Sequence, residues 1–203
     1  VVPQTSPGLL RTPLYHAHLA GDAQMVPFAG WEMPLRYTSM LTEARAVRAT
    51  AGVFDVSHMA RLEISGPDAR AFLENVLTAY VTGLPPGRAA YGFLLNLSGG
   101  IIDDAVVLHL ADKAPHAPFL LVCNASSRKA VMGWLDLQRS AYTRLQITDS
   151  TAATAMIAIQ GPESLEILAR MTATNLGEMR PFGGTRTRIS LPDQRIVDAI
   201  VSR

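Results

Sequence analysis

In the segment 97–110, LSGGIIDDAVVLHL, a Ser-Gly-Gly turn leads directly into a long apolar run that contains two adjacent aspartates. Together with the preceding run 91–96, it predicts an antiparallel hairpin. Successive side chains of a strand point to opposite faces, so Asp103 and Asp104 lie on opposite, otherwise apolar faces. A carboxylate in such a position needs a hydrogen-bonding partner and often marks a functional site. The residues alone leave open which of the two aspartates belongs to a site.

The remaining patterns predict an α+β fold with mainly antiparallel sheets and packed helices. Residues 25–37, MVPFAGWEMPLRY, are rich in Pro, Gly and aromatic side chains and are interpreted as an ordered, packed loop. A helix is expected to begin after the capping residue Ser39 and to end near residue 50. Further elements are expected in the second half of the chain: a strand over 119–124, a helix from 126 or 127 to about 140, and strands over 187–191 and 195–201.

Two segments, 61–77 and 155–171, resemble each other and form a weak internal βα repeat. Each consists of a short alternating strand, Gly-Pro, an acidic residue and an amphipathic helix. Proline suits the first turn of a helix, and the acidic residue complements the positive end of the helix dipole. A strand that turns into a helix at Gly-Pro is also a common way to change direction, so a repeat and a coincidental likeness remain open alternatives.

Composition indicates a globular chain and bears on several function classes. Of the 203 residues, 48% are hydrophobic and 17% are charged, and the net charge is +1. No surface for nucleic acid or for an acidic membrane is therefore expected. Cys123 is the single cysteine and is interpreted as a core residue, so no cysteine-cluster metal site is expected. His16 and His18 are expected on a solvated face, and no histidine spacing indicates a metal site. No apolar run reaches the ~18 residues of a membrane span, and no signal peptide is recognisable.

With these motifs taken together, the chain resembles the aminomethyltransferase (T-protein) of the glycine cleavage system. The matching segments, in the family's order, are RTPLYHAHLAGDAQMVPFAGWEMPLRYTS, VFDVSHM, GRAAYGFLLNLSGGIIDD, LLVCNASSRK and TAMIAIQGP. The resemblance implies a fold of three domains around a folate cavity, one of them ferredoxin-like. It also implies transfer of a methylene carbon from an aminomethyl-lipoyl group on the partner H-protein to tetrahydrofolate, with release of ammonia. A bacterial cytoplasmic location is expected, or the mitochondrial matrix in a eukaryote.

The same resemblance implies roles for particular residues. Asp104, the second aspartate of the GGIIDD motif, is the expected catalytic and folate-binding carboxylate, and Asp103 is expected to be a structural hydrogen-bonding residue. His58 is expected to be a buried, hydrogen-bonded histidine rather than a base. Pro27 stands where the family usually has aspartate, with no direct catalytic consequence expected. The other expected folate contacts are Asn124, Tyr91, Met59, Val106 and Val122.

The resemblance covers only the N-terminal part of the family's length and implies a domain scheme. Residues 1–12 are a leader, 13–60 open the first folate-binding domain, 61–150 form the ferredoxin-like domain, and 151–203 return to the first domain. By this scheme the family's C-terminal barrel domain is expected to be missing, so this fragment is expected to be inactive by itself. Two alternatives stay open: the folate-binding domain of a sarcosine or dimethylglycine dehydrogenase, and a non-catalytic folate-binding relative in iron–sulfur cluster maintenance. The intact GGIIDD motif argues against the second.

Overall fold

The computed structural model describes residues 8–111 and 118–203, which divide into two units. The first unit contains residues 8–59 and Thr151–Ser164; the second contains Ala60–Ser150, apart from 112–117, and Leu165–Arg203. The strands, in chain order, are β1 (Leu10–Arg11), β2 (Gln24–Phe28), β3 (Trp31–Arg36), β4 (Gly52–Asp55), β5 (Ala60–Ser65), β6 (Arg88–Leu95), β7 (Ile101–His109), β8 (Phe119–Cys123), β9 (Gln146–Asp149), β10 (Ile157–Gln160), β11 (Gly184–Ser190) and β12 (Ile196–Ser202). The helices are α1 (Tyr15–Ala20), α2 (Met40–Ala49), α3 (Ala69–Val76), α4 (Arg128–Gln138) and α5 (Ser164–Ala169), with 3-10 turns at Arg139–Ala141 and Leu176–Glu178.

In the first unit, β3 lies between β1 and β2 in a three-stranded sheet. The expectation of a loop over 25–37 is wrong, because β2 and β3 pair antiparallel across a two-residue turn. Ala29 and Gly30, the two turn residues, have φ of +49° and +82°, which is the left-handed pair that matches the twist of a tight hairpin. The prolines are tolerated because β2 is an edge strand and because Pro34 lies beyond the short β1 partner, next to a register shift.

Helix α2 forms where the sequence predicts it, directly after Ser39. The Ser39 hydroxyl accepts a hydrogen bond from the Thr42 backbone N–H at 3.3 Å. The Glu43 carboxylate reaches back to the backbone N–H groups of Tyr37 and Thr38, at 2.9 and 2.6 Å. The Ser39 contact satisfies a backbone donor of the first helical turn, and the Glu43 contacts satisfy the donors of the two residues that precede Ser39. No residue of α2 is buried, so local hydrogen bonds rather than core packing define where it begins.

The second unit is built on a five-stranded antiparallel sheet in the order β6-β7-β8-β5-β9. One face of this sheet packs against α3 and α4. The apolar stripes of both helices meet every second residue of the strands, which is the spacing that a half-covered sheet requires. The expected hairpin of β6 and β7 is confirmed. The fully buried core side chains include Phe72 and Leu73 of α3, Val131 and Leu135 of α4, and Leu62, Ile64, Val107 and Leu121 of the sheet.

The predicted α+β class with mainly antiparallel sheets is confirmed, and the second unit has a ferredoxin-like arrangement. β5, α3, β7, β8, α4 and β9 follow the β-α-β-β-α-β order, and β6 extends the sheet beside β7. The two similar segments of the sequence form β5–α3 and β10–α5. β5 belongs to the five-stranded sheet, whereas β10 pairs with β4. Gly66 and Gly161, their turn glycines, have φ of +102° and +121°. An added Cβ would lie 2.2 Å and 2.5 Å from backbone oxygens, so both turns require glycine.

Residues 165–203 group with the second unit, whereas the sequence predicts their return to the first domain. β11 and β12 form the expected antiparallel hairpin. The start of β11 is held by β6 and β7, because Arg88 and Gly183 form an antiparallel bridge. An added Cβ at Gly184 would meet the side chain of Leu108 at 2.8 Å. This close packing accounts for the grouping, and the identities of the predicted domains stay predictions.

The predicted leader, 1–12, lies partly outside the described residues, which begin at residue 8. At its end the structure differs from that prediction, because β1 pairs parallel to β3 and Thr12 is buried. Within residues 8–111 and 118–203, no helix combines the length and the apolar character needed to cross a membrane.

Candidate functional site

Three neighbouring strands bring five of the predicted site residues together on one face of the second unit's sheet. In the antiparallel register, Tyr91 of β6 pairs with Val106 of β7, and Val106 pairs with Val122 of β8. Asp104 lies two residues before Val106 and therefore on the same face. Asn124 follows the last residue of β8. Asp104, Val106 and Val122 are half-buried, so this face is open to a ligand, unlike the face that α3 and α4 cover.

The two adjacent aspartates differ in their access to a ligand, because α3 and α4 cover only one face of the sheet. Asp103 is only 7% exposed and shares its face with the core residues Ala105 and Val107. Both of its oxygens accept hydrogen bonds from Asn124, one from the backbone N–H and one from Nδ2, each at 2.9 Å. Asp104 lies on the open face. A ligand therefore reaches Asp104, whereas the hydrogen bonds of Asp103 are made within the protein.

The side-chain amide of Asn124 joins the two carboxylates. Its Nδ2 donates to Asp103 Oδ1 at 2.9 Å and to Asp104 Oδ1 at 2.8 Å. A primary amide has two N–H hydrogens, so these two contacts use both of them. The orientation of the amide follows from its neighbours, because the reverse orientation would place its Oδ1 against two further acceptors. Asn124 is left with Oδ1, an acceptor, to offer to a ligand.

Tyr91 completes the hydrogen bonding of Asp104. Its hydroxyl donates to Asp104 Oδ2 at 3.2 Å, and its ring packs edge-on against Phe93 with the ring centroids 5.5 Å apart. Desolvation raises the pKa of Tyr91, and the hydrogen bond to Asp104 and the charges of Asp104 and Asp103 raise it further. The hydroxyl therefore stays protonated at neutral pH and continues to donate to Asp104.

This arrangement offers acceptors and apolar surface to a ligand. The donors of Asn124 and Tyr91 point to the carboxylates, so the remaining capacity consists of lone pairs on Asp104, Asn124 and Tyr91. Val106 and Val122 add apolar surface on the same face. A flat heterocycle with N–H groups along one edge matches such a surface. Because Asp104 is held at both oxygens, it can accept a hydrogen bond or a proton with little reorganisation.

The sixth predicted contact, Met59, belongs to the first unit, where its backbone N–H donates to the Val56 carbonyl at 3.0 Å. Its expected contact with folate stays a prediction. His58, beside it, is half-buried and packs edge-on against Phe28 with the ring centroids 5.4 Å apart. Pro27 lies in the edge strand β2.

Cys123 is fully buried, which confirms its interpretation as a core residue. Burial raises the pKa of its thiol to about 12, with smaller contributions from the negative charges of Asp103, Asp149 and Asp104. The thiol is therefore protonated at neutral pH, and the thiolate needed for nucleophilic chemistry is scarce.

The first unit contains a buried hydrogen-bonded array that the sequence does not predict. His18, expected on a solvated face, is only 5% exposed, so that expectation is wrong. Its Nε2 lies 2.8 Å from Asp55 Oδ2, and its Nδ1 lies 2.7 Å from the Tyr37 hydroxyl. Asp55 also accepts from the Thr12 hydroxyl at 2.6 Å and from the Ser57 backbone N–H at 2.8 Å. The partners of His18 are 19 and 37 positions away in the chain, so no local sequence pattern predicts these contacts.

The electrostatics of this array keep Asp55 ionised. Burial raises the pKa of Asp55, but the hydrogen bonds from Ser57, Thr12 and His18 outweigh burial and hold that pKa below its ordinary value of 3.8. Across residues 8–111 and 118–203, no group of three or more His, Cys, Asp and Glu side chains has an arrangement suited to a metal ion.

Comparisons with known proteins place the chain in a family. Residues 14–199 match the family described as GCVT N-terminal domain. The aminomethyltransferase of Desulforamulus reducens is 41% identical over 174 residues, which are 86% of this chain and 46% of that protein. The aminomethyltransferase of Thermotoga petrophila is 38% identical over 194 residues, which are 95% of this chain and 50% of that protein.

A solved structure gives the same result. The crystal structure of glycine cleavage system aminomethyltransferase T from Bartonella henselae superposes with a TM-score of 0.81 at 29% identity, covering 96% of this chain and 54% of that chain. The chain spans about half the length of the curated relatives it matches. By the family match, the relatives and the fold, the chain belongs to the aminomethyltransferase (T-protein) family of the glycine cleavage system and corresponds to that family's N-terminal domain.

Proposed function

We propose that this chain is the folate-binding part of an aminomethyltransferase that transfers a methylene carbon to tetrahydrofolate. In this reaction the carbon arrives as an aminomethyl group on the lipoyl arm of the H-protein. It forms bonds to two folate nitrogens while its bonds to nitrogen and sulfur break. The two hydrogens displaced from the folate nitrogens end on the leaving ammonia and on the thiol of the dihydrolipoyl partner. Family membership and the names of the relatives support this reaction class. For this chain itself, the proposal is folate binding and the placement of the catalytic carboxylate, Asp104.

One observation carries the proposal: the Asp104 carboxylate lies on an open, partly apolar sheet face, yet protein donors hold both of its oxygens. Asn124 Nδ2 and the Tyr91 hydroxyl lie 2.8 and 3.2 Å from these oxygens. A carboxylate fixed in this way can hold an incoming N–H group and position the attacking nitrogen, which lowers the entropic cost of the reaction. A surface aspartate without such donors would offer no fixed direction.

The hydrogen-bonding capacity of this face also matches a reduced pterin. A reduced pterin carries several N–H groups along its edge and a flat ring system. Asp104, the Asn124 Oδ1 and the Tyr91 oxygen supply the complementary acceptors, and Val106 and Val122 supply apolar surface for the ring. In the proposal Asp104 is the catalytic residue, and the other four residues bind the folate. Met59 stays the sixth predicted contact.

The donor of the one-carbon unit distinguishes this proposal from the two folate-binding alternatives. The relatives from Desulforamulus reducens and Thermotoga petrophila are named aminomethyltransferase, which supports an aminomethyl donor over the flavin-linked and iron–sulfur alternatives. We therefore propose a lipoylated H-protein as the partner that delivers the aminomethyl group.

Calorimetric titration with 5-formyltetrahydrofolate, a stable reduced folate, tests the proposal on the 203-residue chain. We expect saturable binding by the wild-type chain. We expect Asp104→Asn to bind at least about tenfold more weakly, because a hydrogen bond to a charged group contributes about 1.5–3 kcal/mol.

Asp149→Asn is the matched control, since it removes a carboxylate from the same sheet at a position that is paired with Arg128 at 2.6 Å. It is expected to leave the folate affinity unchanged. Circular dichroism establishes that each variant is folded. Either of two results contradicts the proposal: a folded wild-type chain that binds no reduced folate, or equal affinities for wild type and Asp104→Asn.

A further inference from the structure

We infer that Asp103 is a positioning residue that acts through Asn124 to orient the Asp104 carboxylate; this inference rests on the proposed folate site. Asp103 makes a two-point contact with a single residue, because its Oδ2 accepts from the Asn124 backbone N–H and its Oδ1 accepts from Nδ2, both at 2.9 Å. Among the described residues, the hydrogen bonds to this carboxylate all come from Asn124. The contact therefore fixes the backbone and the side chain of Asn124 together.

The planarity of the amide transmits this constraint to Asp104. The two hydrogens on Nδ2 lie in one plane at a fixed angle, so directing one hydrogen to Asp103 also determines the direction of the other. That second hydrogen meets Asp104 Oδ1, and the N–O distance is 2.8 Å. The orientation of the catalytic carboxylate thus depends on a side chain that lies on the opposite face of the strand.

Burial explains why Asp103 holds Asn124 so firmly. At 7% exposure, its carboxylate has little access to water, and a buried carboxylate without donors is strongly unfavourable. Asn124 supplies both donors, so any rotation of its amide would cost Asp103 a hydrogen bond. If Asp103 served only the stability of the fold, hydrogen-bond donors from any residue could stabilise its buried carboxylate. Here its donors belong to the residue that also binds Asp104.

Replacing Asp103 with asparagine should release this constraint. Only one of the two polar atoms of an asparagine side chain accepts hydrogen bonds. One of the two contacts with Asn124 would therefore become donor against donor. The Asn124 amide could then turn, and Asp104 Oδ1 would lose its donor.

The first test needs no folate. In ¹⁵N-labelled chain, the side-chain NH₂ resonances of Asn124 report hydrogen bonding to both carboxylates. We expect Asp103→Asn to shift both resonances and to reduce their separation, beyond any change caused by the control Asp149→Asn. Asn124 resonances that move no more in Asp103→Asn than in the control would overturn the inference, because the amide would then be held without Asp103.

The second test is a double-mutant cycle on the affinity for 5-formyltetrahydrofolate. We expect Asp103→Asn to weaken binding about tenfold in the wild-type background and less than about twofold in an Asn124→Ala background, because residues that act through one another are not additive. Equal factors in both backgrounds would show that Asp103 acts independently of Asn124 and would overturn the inference. If Asp103→Asn does not fold, Asp103→Glu replaces it in the cycle, since it keeps the charge and moves the carboxylate by one methylene group.

The two tests separate this inference from the proposed function. If Asp104→Asn weakens binding and Asp103→Asn does not, the inference fails and the folate site stands. If the wild-type chain binds no folate, or if Asp104→Asn leaves binding unchanged, the proposed function fails. The resonances of Asn124 then decide by themselves whether Asp103 orients the amide that contacts Asp104.

Discussion

Removal of the Asp55 carboxylate tests the buried array of the first unit most directly. The side chain of Asp55 is fully buried, and it accepts hydrogen bonds at 2.6 to 2.8 Å from the Thr12 hydroxyl, His18 Nε2 and the Ser57 backbone N–H. Asp55→Ala would leave these donors facing a cavity that no acceptor fills. Asp55→Asn would keep the volume but would turn an NH₂ group toward at least one of the same donors.

The expected cost follows from these contacts. A hydrogen bond to a charged group contributes about 1.5–3 kcal/mol, and such values do not add for neighbours that share one acceptor. A buried donor that loses its acceptor costs about 1–3 kcal/mol, and Asp55→Ala leaves several such donors unsatisfied. We therefore expect Asp55→Ala to lower the free energy of unfolding by about 3–5 kcal/mol and Asp55→Asn by about 1–3 kcal/mol.

The same array predicts a dependence on pH. The hydrogen-bond donors around Asp55 hold its pKa below 3.8, its ordinary value, despite the opposing effect of burial. The pKa is lower in the folded than in the unfolded chain, so this contribution to stability is fully present above the unfolded value. It is lost as the pH falls through the lowered pKa. The difference in stability between wild type and Asp55→Asn should therefore shrink in acid.

Urea unfolding provides the assay. Trp31 and Trp134 are the only tryptophans of the chain, and Trp31 is buried in the first unit. A Trp134→Phe background makes the fluorescence specific for Trp31. Asp22→Asn is the control, because Asp22 is exposed at a φ of +56° that asparagine also tolerates. If Asp55→Ala costs less than about 1 kcal/mol, no more than an average substitution, the hydrogen bonds of Asp55 do not stabilise the first unit.

Two further predictions concern the second unit. Cys123, fully buried and with its thiol pKa raised to about 12, should react with a disulfide reagent at pH 8 only in urea; rapid reaction of the native chain would contradict its burial. Gly66→Ala should lower the thermal midpoint, because φ is +102° and the new Cβ would lie 2.2 Å from the Arg144 carbonyl oxygen. Gly133→Ala, within α4 and with nothing within 4 Å of an added Cβ, should instead raise stability by about 0.5–1 kcal/mol. Equal effects of the two substitutions would refute the steric argument.

Elements whose partners are close in sequence could be predicted. The start of α2 depends on contacts among residues 37–43, and the hairpin of β6 and β7 depends on the turn between them. Both are visible in the residues themselves. The β2–β3 hairpin is just as local, but its turn consists of Ala29 and Gly30 rather than a strong turn dipeptide, and two prolines in the strands favoured a loop. An edge strand tolerates proline, because the missing N–H faces away from the partner strand.

Residues whose roles depend on distant partners could not be predicted. The prediction that His18 lies on a solvated face is wrong, because Asp55 and Tyr37, which bind its ring nitrogens, are far away in the chain. A pattern of apolar and polar residues shows that a side chain is polar. It does not show whether donors and acceptors from other elements will make its burial favourable.

For the two aspartates of β7, one part of the arrangement could be predicted from the sequence and another part could not. Strand alternation by itself determines that Asp103 and Asp104 lie on opposite faces, because the side-chain period of a strand is two. Which face is covered was decided by α3 and α4, whose apolar stripes pack against the side of Asp103. The register of β7 and β8 places Asn124 where its amide donates hydrogen bonds to both carboxylates. Local periodicity follows from backbone geometry, whereas burial and register depend on contacts between elements distant in sequence, so only the tertiary structure could assign them.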